Sequence, residues 1–184
     1  MSGVIATLGP IGTDSHRQAE RLSTKVSLHE TFHEAICHAK LHKTKLLVPA
    51  GFRENRAGKQ FSWVDFHFEN LNDIELEKAW FEKTMPMVLL HNSFNSIAIH
   101  PSTSSLVPEL ERYEHVKYTR SKVEAYQLFT RGEASAALTS SSIIDDTSDK
   151  QFIKAEFRPT MVWCLYKIIN SSLETQATFI TRET

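Results

Sequence analysis

The sequence predicts an α/β protein of two similar lobes, the second inserted within the first, with a ligand cleft between them. Three observations carry this. The apolar run Val4-Ile5-Ala6 leads through the glycine turn Leu8-Gly9-Pro10-Ile11-Gly12 into the charged, helix-favouring stretch Arg17–Leu22. The first fifty residues then read as a βαβαβ run, whose natural outcome is a set of parallel strands. From Pro86 a second series of short strands and helices begins, and the apolar run Met161–Ile169 returns to a sheet.

In the first lobe, strand, glycine turn and helix start form the geometry that aims backbone N–H groups at an anion. Gly9 and Gly12 permit backbone conformations closed to other residues, and Thr13, Asp14 or Ser15 can cap the helix. Ser27–Lys40 reads as a helix capped by Ser27, with Leu28, Phe32, Ala35 and Ile36 on one face. Leu46-Leu47-Val48-Pro49 reads as a buried strand ended by proline. Arg53–Gln60 reads as a charged loop, Phe61–Phe68 as an imperfectly alternating strand, and Leu71–Phe81 as ambiguous, acidic and in part helical.

The second lobe is expected to open with strands at Met87–Leu90 and Ser96–Ile99. A helix starts at His100-Pro101-Ser102 and runs to about Arg112, bent or ended by Pro108. Val116–Tyr118 is a short strand. Ser121–Gly132 is a helix capped by its serine and stopped by its glycine. Ala136-Ala137-Leu138 is a strand, and Thr139–Ser142 opens the next turn. The expected division places lobe 1 at about 1–84 and 152–170, lobe 2 at about 85–151, and a polar tail at 171–184. Turns from both lobes would face the cleft.

Composition narrows the partners. The 184 residues carry a net charge of −1 with both signs interspersed, which disfavours nucleic acid and membrane surfaces. Two cysteines, Cys37 and Cys164, lack any paired spacing and read as reduced thiols of a cytoplasmic protein. No basic start precedes an N-terminal apolar run, and no apolar run is long enough to cross a bilayer. A small molecule is the expected partner, with a homodimer left open. His29, His33 and Cys37 fall at i, i+4, i+8 on the expected helix, a spacing that zinc can use and that an exposed histidine-rich face also produces. The expectation is no metal.

The wording of several segments resembles a family. Leu8-Gly9-Pro10-x-Gly12-Thr13-x-Ser15 is similar to the opening of prephenate dehydratases and of the related bacilysin-type prephenate decarboxylases. Ser27-Leu28-His29-Glu30-Thr31-Phe32, Leu47-Val48-Pro49, His100-Pro101 and Ala136-Ala137-Leu138-Thr139 follow in the family's order and cover roughly residues 4–168. The resemblance implies a type II periplasmic-binding-protein-like prephenate dehydratase domain with no cofactor and no metal. Two places depart from the dehydratases. Ala50-Gly51-Phe52 stands where they carry Glu-Asn-Ser, and Val162-Trp163 stands where they carry the Thr-Arg of a Thr-Arg-Phe motif. The wording Met161-x-Trp163-x-Leu165-Tyr166 is closer to the decarboxylases.

The chemistry implied follows from that replacement. Loss of the ring carboxylate from prephenate releases an electron pair, which in the dehydratase expels hydroxide as the ring aromatises. Valine cannot assist that departure, so a proton added to the diene takes the pair and yields a non-aromatic dihydro-4-hydroxyphenylpyruvate. Such a product suits biosynthesis of a non-proteinogenic amino acid or peptide natural product. Thr13, Ser15, Ser102, Thr139 and Ser140 are the candidate hydrogen-bonding residues, Phe52, Val162 and Trp163 the candidate walls, and His100 the candidate acid. A bland alternative stands beside each: helix capping for Thr13 and Ser15, an ordinary turn for Thr139 and Ser140, a core position for Trp163, and a hydrogen bond within its own turn for His100. Dehydration to phenylpyruvate, or a catalytically dead carboxylate-binding module using Arg53, Arg56 or Arg158, are the competing functions.

Overall fold

The computed structural model describes residues 3–169 apart from 57, 145 and 146. The chain begins with β1 (Ile5–Leu8), α1 (Asp14–Glu20), β2 (Val26–His29), α2 (Phe32–His42) and β3 (Lys45–Pro49). A hairpin, β4 (Arg53–Arg56) and β5 (Lys59–Ser62), leads into α3 (Trp63–Glu69) and the long strand β6 (Ile74–Lys83). Next come β7 (Met87–His91), β8 (Ser96–Ile99), two 3-10 helices (Pro101–Leu106 and Leu110–Arg112), β9 (His115–Tyr118), α4 (Lys122–Thr130) and β10 (Ala136–Ser140). Two further 3-10 helices (Ser141–Ile143 and Thr147–Phe152) precede β11 (Ile153–Phe157) and β12 (Thr160–Ile168).

These strands make two five-stranded sheets, ordered β2-β1-β3-β12-β6 and β11-β7-β10-β8-β9. The second sheet is drawn wholly from residues 87–157, while β12 returns to the first sheet antiparallel to both β3 and β6. β1, β2 and β3 are parallel, as are β8, β9 and β10, so each sheet collects several strand-to-helix turns at one end.

The central strands of each sheet are buried on both faces. Alternation along β3 and β12 sends Leu46, Val48, Cys164 and Tyr166 toward α2 and α3, where they meet Phe32, Ile36 and Phe66. The same alternation sends Leu47, Trp163 and Leu165 to the other face, against Ile5 and Ala19. In the second sheet Ala98 and Ala137 meet Ala125 of α4, and the small side chains let helix and sheet approach closely.

Several expectations are corrected by the fold. Ser27 and Leu28 lie in β2 beside β1, and Thr31 is the residue that caps α2, its side chain accepting from Glu34 N–H at 3.1 Å. Val26-Ser27-Leu28-His29 is too short to show a period by itself, so it merged with the helical pattern that follows. Arg53–Gln60 forms the β4–β5 hairpin, turned at Gly58 with φ of +80°, where only glycine is comfortable. Phe61–Phe68 is mostly helix: Ser62 and Asp65 form a reciprocal capping box in which the Asp65 carboxylate accepts from Ser62 N–H at 2.8 Å. The bond donated by the Ser62 hydroxyl at 2.7 Å, and next the one from Ser62 N–H, hold the Asp65 carboxyl below its ordinary range. Leu71–Phe81 resolves into β6. The stretch after His100 is two 3-10 turns interrupted at Val107 and Pro108, because proline cannot donate the next helical bond. Thr139 and Ser140 complete β10 instead of opening the turn. The tail expected at 171–184 lies outside the described residues.

Candidate active site

Two helix starts from different lobes are tied together at the lobe junction. Asp14, the first residue of α1, accepts hydrogen bonds from Met85 N–H at 2.7 Å and from Lys122 Nζ at 3.1 Å. Met85 lies in the connection between β6 and β7, and Lys122 is the first residue of α4. Both side chains are mostly covered, with 17% of Asp14 and 21% of Lys122 exposed, so the pair is less screened than a surface ion pair. Thr139 Oγ1 donates to the Lys122 carbonyl at 2.9 Å, and Ser141 N–H donates to Pro86 O at 2.9 Å. The end of β10, the start of α4, the inter-lobe connection and the start of α1 therefore form one bonded cluster.

His100 borders this cluster. It caps the 3-10 turn that follows β8: Nδ1 accepts from Ser102 N–H at 3.2 Å and faces Ser102 Oγ at 2.7 Å. Burial, and secondarily the Lys122 ammonium, push its pKa down to about 4. The imidazole is therefore neutral at neutral pH. With Nδ1 accepting from the backbone, the ring's proton resides on Nε2. The general-acid expectation is thus narrowed, since His100 presents an Nε2–H donor and not an imidazolium.

The other candidates divide into engaged, open and core positions. Thr13 caps α1, accepting from His16 N–H at 3.4 Å and donating to Pro10 O at 2.9 Å. The turn before it depends on Gly12, at φ +85°. Ser15 is 7% exposed and Ser140 1% exposed, and neither hydroxyl has a hydrogen-bond partner among the described residues. Two small covered donors thus flank the Asp14–Lys122 cluster, one from each lobe.

Phe52 and Trp163 belong to the core. Phe52 sits edge-on to Phe32 at 4.6 Å between centroids and contacts Phe61 and Phe66. Trp163 is 1% exposed on the α1 face of the first sheet, with its indole N–H buried and unbonded. Neither ring forms an open wall, because the departures at Phe52 and Trp163 fill volume inside the lobe. Val162 is half-buried against the Phe52 cluster, and its carbonyl accepts from Ala50 N–H at 2.8 Å. Gly51 passes so close to this strand that a Cβ would lie 2.7 Å from Met161 Cε.

Of the arginines, Arg56 pairs with Glu54 and Glu69 and lies over the Phe61 ring. Arg53 and Arg158 are exposed. The cation at the lobe junction is Lys122, which sequence reading passed over, while Asp14 was read only as a possible helix cap. Their one signal was position: each is a charged residue placed directly after a capping residue at a helix start. His29 lies on β2 and not on the helix with His33 and Cys37, so the three do not share a helical face. Cys37 Sγ contacts His33 Nε2 at 3.8 Å, and among the described residues no group of three or more His, Cys, Asp or Glu side chains is arranged to hold a metal.

No family model matches the chain, and no curated protein matches it. Solved structures do. The chain is similar to prephenate dehydratase from Arthrobacter aurescens in complex with L-Phe, with 13% identity and a TM-score of 0.55, over 91% of this chain and 61% of that one. It is similar to GqqA, described as a novel type of quorum quenching acylase, at 14% identity and TM-score 0.51, covering 94% of this chain and 66% of that one. The periplasmic VFT2 domain of Bordetella pertussis BvgS follows at 11% identity and TM-score 0.52, covering 91% and 80%. The chain thus spans less than two thirds of the length of the dehydratase. At these identities the likeness defines a fold: the two-lobed, type II periplasmic-binding-protein-like architecture that prephenate dehydratases share. Among the described residues no helix is long and apolar enough to cross a membrane.

Proposed function

We propose that the chain binds prephenate between its lobes and decarboxylates it without aromatising the ring. The observation that carries this reading is the make-up of β12. Where the resemblance places a hydroxyl and a guanidinium, Val162 and Trp163 are packed into the core clusters of the first lobe. Those two positions offer the substrate neither the hydroxyl nor the cation. Lys122 supplies the positive charge instead, and an incoming carboxylate would take it over from Asp14. Ser15 and Ser140, with Thr13 at the cap of α1 and Ser102 on the His100 turn, are the proposed hydrogen-bonding partners, while Thr139 holds the Lys122 backbone. The His100 Nε2–H is proposed to orient the ring by donating a hydrogen bond, while the proton added to the ring comes from solvent.

The step balances simply. The bond from the ring carbon to its carboxylate breaks and CO2 leaves. The electron pair shifts through the diene, and one solvent-derived proton is added to the ring. The pyruvyl carboxylate, held by charge, is retained, and the ring carboxylate loses its charge where its surroundings are least polar.

A second reading has its own support. Lys122 at the lobe junction can hold a carboxylate whether or not a reaction follows, which keeps a carboxylate-binding module as the alternative. Incubation with prephenate separates the options. A non-aromatic keto acid supports the proposal, phenylpyruvate overturns it in favour of dehydration, and saturable binding with no CO2 above the spontaneous rate overturns it in favour of the binding module.

A further inference from the structure

Gln18 of α1 is a covered side chain with nothing to bond to. It is 5% exposed, and its amide has no hydrogen-bond partner among the described residues. A carboxamide carries one acceptor oxygen and two donor hydrogens, and burying them unpaired is costly. The amide is not sealed in the core either. Among the described residues the fully enclosed, unbonded side-chain polar atoms are Thr44 Oγ1 and Trp163 Nε1, so the polar end of Gln18 meets a space that water or a ligand can enter. Helix geometry sets where that space lies. With about 3.6 residues per turn, Gln18 projects between Asp14 and Ser15, while Ala19 faces the cluster that holds Trp163. Helical side chains slant toward the N-terminus, which carries the amide back toward Asp14 and Ser15. Asp14 is bonded to Met85 and Lys122 at the lobe junction, and Ser15 is likewise covered and unpartnered. Two unbonded polar side chains on one helix face, beside the inter-lobe cation, call for a ligand to bond them.

We infer that Gln18 is a specificity-determining residue that hydrogen-bonds the ring hydroxyl of the substrate; the inference rests on the reading of the site as one for prephenate. The group is identified by what an amide can satisfy. A carboxylate only accepts, so it would leave the amide oxygen without a donor, and Lys122 already serves that charge. A hydroxyl both donates and accepts, and it satisfies the amide at both ends. An amide N–H is also far too weak an acid to protonate a hydroxyl. Gln18 therefore holds the ring hydroxyl in place without helping it to leave, as a non-aromatising decarboxylation requires.

Calorimetric titration of the full chain with 4-hydroxyphenylpyruvate and with phenylpyruvate tests this. The two acids differ only in the para hydroxyl, and neither has a ring carboxylate to lose. Wild type should bind the hydroxylated acid about tenfold more tightly, the contribution expected of two neutral hydrogen bonds. Gln18→Met keeps the length of the side chain and removes both polar ends, so it should abolish the preference and leave the affinity for phenylpyruvate unchanged. Its melting temperature should be no lower than that of wild type, because no bond within the protein is lost. A wild type without the preference, a preference that survives in Gln18→Met, or a lowered melting temperature each overturns the inference. The prephenate reading fails separately, on release of CO2 from prephenate no faster than the spontaneous rate.

Discussion

Replacing Asp14 with alanine removes two hydrogen bonds made by a carboxylate, one from Met85 N–H and one from Lys122 Nζ. Hydrogen bonds to charged groups contribute about 1.5–3 kcal/mol each, and part of that is recovered as water reaches the vacated site. Asp14→Ala is therefore expected to cost about 3 kcal/mol of unfolding free energy. The ion pair itself is isolated by a cycle of Asp14→Ala, Lys122→Met and the double variant, since the Met85 bond is lost in both arms containing Asp14→Ala. Exposed pairs in such cycles give about 0.2–1 kcal/mol. A pair with 17% and 21% of its side chains exposed should couple by about 1–2 kcal/mol. Urea denaturation followed by circular dichroism reads both quantities. A coupling below about 0.3 kcal/mol, the level of independent sites, would refute the idea that this pair latches the lobes. Lys122→Met should also raise the KM for prephenate more than it lowers kcat.

The remaining expectations concern single positions. The folded pKa of His100 lies near 4 against an ordinary 6.5, so the unfolded chain binds the extra proton over that range. Stability should fall by up to about 3 kcal/mol on acidification from pH 6.5 to pH 4, and His100→Gln should abolish that component; NMR titration of the imidazole near 6.5 would contradict it. Ser15→Ala and Ser140→Ala should shift stability by less than about 0.5 kcal/mol while weakening prephenate binding, and unchanged affinity in both would remove them from the site. Trp163→Phe, which deletes an unbonded buried N–H, should stay within about 1 kcal/mol of wild type, whereas Trp163→Arg should cost about 3 kcal/mol or more and restore no dehydration. A stable, dehydrating Trp163→Arg protein would contradict the core placement.

Parallel strands in the first fifty residues, the capped helix after Ser121 and the return of Met161–Ile169 were legible because each carries a local pattern: an apolar run, a cap, a glycine stop. β2, β6 and α3 were not. β2 is four residues long, too short for a period to declare itself. β6 is an exposed edge strand, so its sequence lacks the alternation that burial of one face imposes. α3 hid behind aromatic residues that suit a strand, although Ser62-x-x-Asp65 was a capping signal open to reading. At the candidate site, the turn around Gly12 and the His100-Ser102 cap could be read from neighbouring residues alone. The Asp14–Lys122 pair could not, since it joins residues 108 apart in sequence. Phe52 and Trp163 looked like pocket walls for the same reason, because only the packing of α1, α2 and α3 fixes which face of the sheet each occupies.

The proposed decarboxylation is tested most directly by 13C NMR of prephenate labelled in its ring carboxylate and incubated with the protein in D2O. The prediction is labelled CO2 released faster than the spontaneous rate, together with a non-aromatic hydroxy keto acid carrying one solvent deuterium on its ring. Phenylpyruvate as the enzymatic product, or label released no faster than without protein, would contradict it.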